Sequence, residues 1–287
     1  MKKSKKGTHH VDEEIRRIAR GGMESFLSQL TGSASRGSAL DRAQDIMYKA
    51  WEEPNLQRGV TLARQALEIS PDCADAYLLL ADHLAATAED SMDLYRKGVE
   101  AGVRAIGKKK FEEYRGHFWG ILETRPYMRA RARLAQSLWE LGTREEALDH
   151  YREMLELNPN DNQGIRDVLL ACLLDVKLDD EASDLLRAYE DDASAQWAYS
   201  QALVAFRRKG DTAEARKLLA SAIKCNKFVP NYLLGTKKIP RQLPDYVGFG
   251  DESEAVCYAG DNLSAWRDSY GALGWLKDFT RTMGRKA

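Results

Sequence analysis

The chain has 287 residues, 44% of them hydrophobic and 30% charged, with a formal charge of −1. That is enough apolar matter for a sizeable core. Without the four lysines of the first ten residues the charge is −5, so the body lacks the basic footprint expected of a nucleic-acid binder. Cys73, Cys172, Cys225 and Cys257 lie far apart and form no CxxC pair. They read as buried thiols of a reducing compartment, and not as a zinc site or a disulfide framework.

In chain order, "MKKSKKGTHH" has a charged start with no apolar stretch behind it, so no secretory signal is expected. Residues 1–38 read as a basic tail, an amphipathic helix over Val11–Leu30 and a Gly/Ser linker, "TGSASRGS". Ala43–Pro71 reads as a helix pair, with Tyr48 and Trp51 on the first helix and Ala63, Ala66 and Leu67 on the second. Cys73–Ala85 supplies Tyr77, Leu80, Ala81 and Leu84 to the next pair, whose partner around "MDLYRKGVEAGVRAIG" is longer. Residues 107–124 read as an insertion.

Pro126–Pro159 is the plainest unit. Leu134, Ala135 and Leu138 recur at helical spacing, and Gly142 is placed to end that helix in a left-handed cap. Thr143 and Glu146 have the spacing of a capping box. Ala147, Tyr151, Met154 and Leu155 then share one face. Two looser pairs follow, "NDNQGIRDVLLACLLD" with "DDEASDLLRAYE", and "SAQWAYSQALVAFRRKGD" with "TAEARKLLASAIKCN". Ala147, Ala182 and Ala215 occupy one slot at intervals near a single tetratricopeptide repeat. The expected fold is all-α: a tetratricopeptide-like right-handed α-solenoid of about four pairs over 39–230, with an irregular C-terminal helical cap over 231–287.

Within that cap Asn231–Gly250 is broken by prolines and glycines. Its Tyr232, Leu233, Leu234, Ile239, Leu243, Tyr246, Val247 and Phe249 are expected to bury against the last helices. Asp251 and Glu254 have capping-box spacing. Trp266, Tyr270, Leu273, Trp275 and Leu276 suit an end cap, with a dimer interface as the alternative.

Three strings carry a closer resemblance: "ALEISPDCADAYLLLADHLAATAEDSMDLYRKGVEAG", "FVPNYLL" and "GDESEAVCYAGDNLSAWRDSYGALGWL". In order and separation, from about Ala39 to Leu276, they resemble the suppression-of-tumorigenicity-seven family. The resemblance implies an α-helical, non-enzymatic protein and supplies no catalytic residues. Animal members look like membrane proteins with hydrophobic segments ahead of this region, and that location is not carried over. The longest apolar run, Val168–Leu174, is far too short to span a bilayer.

No HExxH, GxSxG or GxxxxGK[ST] occurs. "VGFGDESEA" reads as a turn and helix cap, not as a phosphate loop. His83 is expected to face a neighbouring helix and His150 to face solvent. The stretch "HFWGILETRPYMRAR" leaves two readings open. Phe118, Trp119, Ile121 and Leu122 fit a plug in an irregular repeat, with Glu123 neutralising an arginine. Arg125, Arg129 and Arg133 form a basic stripe at i, i+4 and i+8.

By register Arg129, Arg133, Gln136, Gln163 and Arg166 point to the concave face and form a candidate peptide-binding site. Arginines without an acid for each suit an acidic peptide or a carboxyl terminus. The functional expectation is therefore a non-enzymatic, cytoplasmic scaffold or adaptor for a protein or peptide. No cofactor, metal, nucleic acid or membrane span is expected. An enzyme using His117, Glu123 and Arg125, and an RNA-binding helical repeat, are the alternatives.

Overall fold

A computed structural model describes residues 37–244 and 246–283, so the expectations for residues 1–36 lie outside the described residues. Thirteen α-helices and two 3-10 turns, with no strand, make up the regular structure of the described residues. Contacts divide them into two units, 37–165 and 166–283.

The first unit holds α1 (Ala39–Glu52), α2 (Leu56–Ile69), α3 (Ala74–Leu84), α4 (Ala88–Glu113), α5 (Arg125–Glu140) and α6 (Arg144–Leu157). Each helix packs on the next through α6, and α3 also packs on α5. The core of α1–α3 is Met47, Tyr48, Trp51, Val60, Ala63 and Leu79. That of α3–α6 is Leu78, Ala81, Tyr95, Leu134, Leu138 and Ala147. At Gly102 of α4 the backbone of α5 comes so close that a Cβ would stand 2.7 Å from Cβ of Tyr127. Only glycine permits that approach.

Two complete capping boxes start α1 and α4. Ser38 accepts from the Asp41 amide at 3.0 Å and Thr87 from the Asp90 amide at 3.0 Å, and each aspartate reaches back to the cap. The box expected at Thr143 does not form, because Thr143 makes no side-chain cap bond. Its amide instead closes the preceding helix onto the Leu138 carbonyl at 2.9 Å, while Glu146 binds Arg96 at 3.2 Å. Gly142 takes φ +88°, as expected of the left-handed cap.

Residues 107–124 contain the end of α4 and both 3-10 turns, Phe118–Gly120 and Leu122–Thr124. Gly107 breaks the helical path of α4 with φ 73° and ψ 153°. Phe118 is buried edge-on to Phe111 and Tyr127, at 4.9 and 5.9 Å between ring centres. Buried Thr124 donates its hydroxyl hydrogen to the carbonyls of this turn, Phe118 and Ile121. Phe118 therefore fills the gap that an irregular connection would leave.

The second unit holds α7 (Ile165–Asp175) apart from its first residue, α8 (Asp179–Ala188), α9 (Ala195–Lys209), α10 (Ala213–Cys225), α11 (Val229–Leu233), α12 (Glu252–Arg267) and α13 (Ala272–Met283). In order, α1–α10 make five pairs where about four were expected. The α7–α8 turn repeats the bonding of the α5–α6 turn: the Leu178 amide reaches Leu173 O at 2.9 Å. Here Lys177, at φ +62°, stands where glycine stood. A left-handed non-glycine costs roughly 1 kcal/mol, which the two turn hydrogen bonds offset. The slot residues Ala147, Ala182 and Ala215 are all fully buried.

α9 packs on α8, α10, α12 and α13. Arg207 of α9 ties this unit together. Its Nε donates to Ser269 Oγ at 2.6 Å, Nη1 to Leu174 O at 2.9 Å and Asp179 at 2.8 Å, and Nη2 to Ala265 O at 2.9 Å. Trp266, Trp275 and Leu276 are buried, with the Trp275 ring stacked on Phe206 at 4.5 Å. Tyr270 is fully exposed, unlike its expected neighbours.

The segment before α12 differs from expectation. Tyr232 and Leu233 are buried, and Leu234, Ile239 and Leu243 are half-buried, but Tyr246, Val247 and Phe249 face solvent. The reason is backbone anchoring. The Gly248 amide donates to Ser253 Oγ at 3.0 Å and the Gly250 amide to Glu254 Oε2 at 2.8 Å, so the turn is held by its main chain. Asp251 caps α12 through the Ser253 and Glu254 amides at 2.8 and 3.2 Å. Glu254 does not complete a box. It is buried and accepts from the Ala195 amide and Asn226 Nδ2, both at 2.8 Å.

Candidate functional site

α5 carries three of the five candidate peptide-binding residues, and the structure supplies an aspartate to each of the two arginines among them. Arg129 Nη2 pairs with Asp75 of α3 at 2.6 Å, and Asp75 has no exposed side-chain surface. Gln44 of α1 donates to the same carboxylate at 2.9 Å, and the guanidinium lies over the Trp51 ring at 5.0 Å. Three helices thus meet in one buried polar cluster. Buried charge of this kind persists only when it is paired and hydrogen-bonded.

One turn further along, Arg133 pairs with Asp82 of α3 at 3.1 Å. Asp82 also accepts the Tyr95 hydroxyl at 2.6 Å, and Arg133 lies 6.0 Å from the Tyr95 ring centre. Here the arginine and aspartate side chains remain 23% and 22% exposed, so this pair reaches the surface. Gln136 is exposed and donates to Glu140 at 3.0 Å. Gln163 is half-buried, with its Oε1 enclosed and unpartnered. In the second unit Arg166 pairs with Asp192 at 2.8 Å and stacks over Tyr189 and Trp197 at 5.2 and 5.6 Å. The picture of arginines without acids is overturned: the aspartates lie far away in sequence but adjacent in the fold.

The stripe at Arg125 likewise dissolves into separate contacts. Arg125 donates to the Trp119 carbonyl at 2.9 Å and covers its ring at 5.3 Å. Glu123, expected beside an arginine, instead pairs with Lys110 at 3.1 Å. His117 is exposed. Glu123 and Arg125 thus each have a partner of their own, Lys110 and the Trp119 carbonyl.

Sequence reasoning missed Arg131, which is buried between Tyr127 and Glu153. It also placed His150 in solvent. The residue is half-buried with an enclosed, unpartnered Nδ1. Burial, then the Arg131 charge, pushes its pKa down. Burial pushes the Cys73 thiol up to about 12, leaving it protonated and unreactive at neutral pH. Among the described residues no group of His, Cys, Asp and Glu could hold a metal ion. No described helix is long and apolar enough to cross a membrane.

Helices that follow one another and pack within each unit, with left-handed turns at Gly142 and Lys177 and buried slot alanines, define an all-α tetratricopeptide-like helical-repeat protein. The chain belongs to the ST7 protein family, whose sequence profile matches residues 37–280. It is 30% identical over 260 residues to the "Suppressor of tumorigenicity 7 protein-like" of Gallus gallus, covering 83% of this chain and 47% of that protein. Its identity to the human protein of the same name is 30% over 254 residues, covering 81% and 44%. To the "Protein ST7 homolog" of Drosophila melanogaster it is 28% over 263 residues, covering 84% and 49%. The chain spans about half the length of these relatives. Among solved structures it is similar to YrrB, described as "a TPR protein with an unusual peptide-binding site". The TM-score is 0.45 and the identity 20%, covering 69% of this chain and 90% of that one.

Proposed function

We propose that this chain is a non-enzymatic helical-repeat scaffold that binds a protein or peptide segment on the α3/α5 face of its first unit. The observation that carries the reading is the half-open Arg133–Asp82 pair, with the exposed amide of Gln136 three residues further along α5. Arg133 and Asp82 bring a planar cation and a carboxylate to the surface, and Tyr95 bonds Asp82 and lies beside Arg133. Arg129 plays a different part, since its aspartate is wholly buried: it holds α1, α3 and α5 in register. An acidic side chain or carboxyl terminus then competes with Asp82 for Arg133. The four free cysteines suit a reducing, cytoplasmic setting.

Arg133→Glu is a poor test, because it also breaks the pair with Asp82. Gln136→Glu leaves that pair intact and adds a negative charge where the ligand carboxylate would sit, at the cost of the bond to Glu140 and an i,i+4 repulsion of about 0.2–0.5 kcal/mol. Quantitative pull-downs from native cells should show partners retained by the wild type and weakened about tenfold by this variant, the effect of ~1.4 kcal/mol. The melting temperature should fall only slightly, by the amount of that repulsion. A captured set unchanged in identity and amount overturns the reading.

A further inference from the structure

Tyr246 and Phe249 are 78% and 82% exposed, with Val247 between them at 42%. Single exposed apolar residues are ordinary. Three in four residues, on a turn anchored by several main-chain hydrogen bonds, are not. Besides the bonds to Ser253 and Glu254, the Asp251 amide closes the turn on Gly248 O at 3.2 Å. Gly250 takes φ +75°, and its Cβ position lies 3.3 Å from the Cys225 carbonyl, so a side chain there would be strained. The display is therefore preorganised, which lowers the ordering cost of binding.

A charge accompanies the rings. Asp251 spends Oδ1 on the Ser253 amide, the Ser253 hydroxyl and the Glu254 amide. Its Oδ2 takes no hydrogen bond among the described residues and points at Gly248. A Cβ on Gly248 would stand 2.2 Å from that oxygen and 3.5 Å from Tyr246 Cε1. At Gly248 the carboxylate oxygen takes the place that a side chain would fill, with the Tyr246 ring edge beside it. The nearby acids are already used: Glu252 is bound by Lys237 and Tyr232, and Glu254 is buried. Bonds from the Ser253 hydroxyl and the Glu254 amide hold the Asp251 carboxyl below the usual carboxylate range, so it is charged at neutral pH.

We propose that the Tyr246–Asp251 turn receives an arginine side chain of a protein partner, with the guanidinium on Asp251 Oδ2 and its flat face against Tyr246 and Phe249. Three chemistries compete for such a surface, and two fit badly. An anion meets Asp251 head-on. A purely apolar segment buries Oδ2 without a donor, which is costly. A guanidinium satisfies the oxygen and can at the same time cover an exposed ring beside it. This site lies in the second unit and does not depend on the α3/α5 face.

The test uses the full chain labelled with nitrogen-15 and two probes, the peptide acetyl-Ala-Arg-Ala-amide and its citrulline counterpart, which keeps the shape and loses the charge. The arginine peptide should shift the Gly248, Gly250 and Ser253 amides saturably, with a Kd about fivefold or more below that of the citrulline peptide. Asp251→Asn retains an oxygen for the helix cap and should remove that difference. Phe249→Ser, at an exposed position, should weaken the arginine peptide while leaving the melting temperature in place. Equal affinity for the two peptides, or no saturable shift at these amides, overturns the proposal.

Discussion

His150 shows how much a single side chain can depend on its neighbours. It stands half-buried on α6, with Arg131 of α5 and Arg96 of α4 disfavouring its charge and Glu146 and Glu153 favouring it. Burial and Arg131 outweigh the acids, so the folded pKa lies below the ordinary value. In the unfolded chain the imidazole protonates near its usual ~6.5. The unfolded state therefore binds more protons as the pH falls below that value. The stabilising contribution is complete above it and is lost between it and the lower folded pKa. Thermal melts should show a fall in stability from pH 7 to pH 5 that is smaller in His150→Gln. Parallel pH profiles for the two proteins would remove His150 as the source. Neither His150 nor the arginine pairs were legible locally, because Arg129 and Asp75 are 54 residues apart and Arg133 and Asp82 are 51 apart. Periodicity assigns a residue to a helix face, but it does not identify the charge brought opposite by another helix.

At the scale of elements, spacing and steric size say much more. Alanine recurs where two helices come closest, because a larger side chain would hold them apart, and Ala147, Ala182 and Ala215 are all fully buried. Ala147→Trp should therefore lower stability by about 1–3 kcal/mol, the usual cost of overpacking. A melting temperature equal to wild type would show that the slot has room. Turn chemistry was less legible. Gly142 announces its left-handed conformation, whereas Lys177 adopts the same one with no local signal, held by the Leu178 amide on Leu173 O. The caps at Ser38 and Thr87 escaped notice because aspartate, not glutamate, completes them. The exposed rings of Tyr246 and Phe249 escaped for another reason. Apolar composition predicts burial only on average, and here main-chain bonds to Ser253 and Glu254 dictate where the side chains go.

Over the whole molecule, the all-α repeat class was readable because each repeat restates the same pattern and one unclear copy is corrected by the others. A binding site has no such redundancy. Its residues come from different helices, and the acids that set its charge come from further helices again. Gly107 carries a last consequence, one of solvent exchange. It divides α4, since its φ of 73° and ψ of 153° interrupt the helical path. With Gly107 as the new N-cap, residues 108–110 form the first turn of a second helix, whose amides lack carbonyls four residues back. To deuterium α4 is two helices: residues 108–110 should label well before the stretch from Tyr95 to Ile106, which is unbroken and partly buried. Uniform protection through Gly107 would mean that the ladder closes across the break. A fast-labelling gap would make the end of α4, with Lys110 and Phe111, a segment that opens while the rest of its helix stays shut.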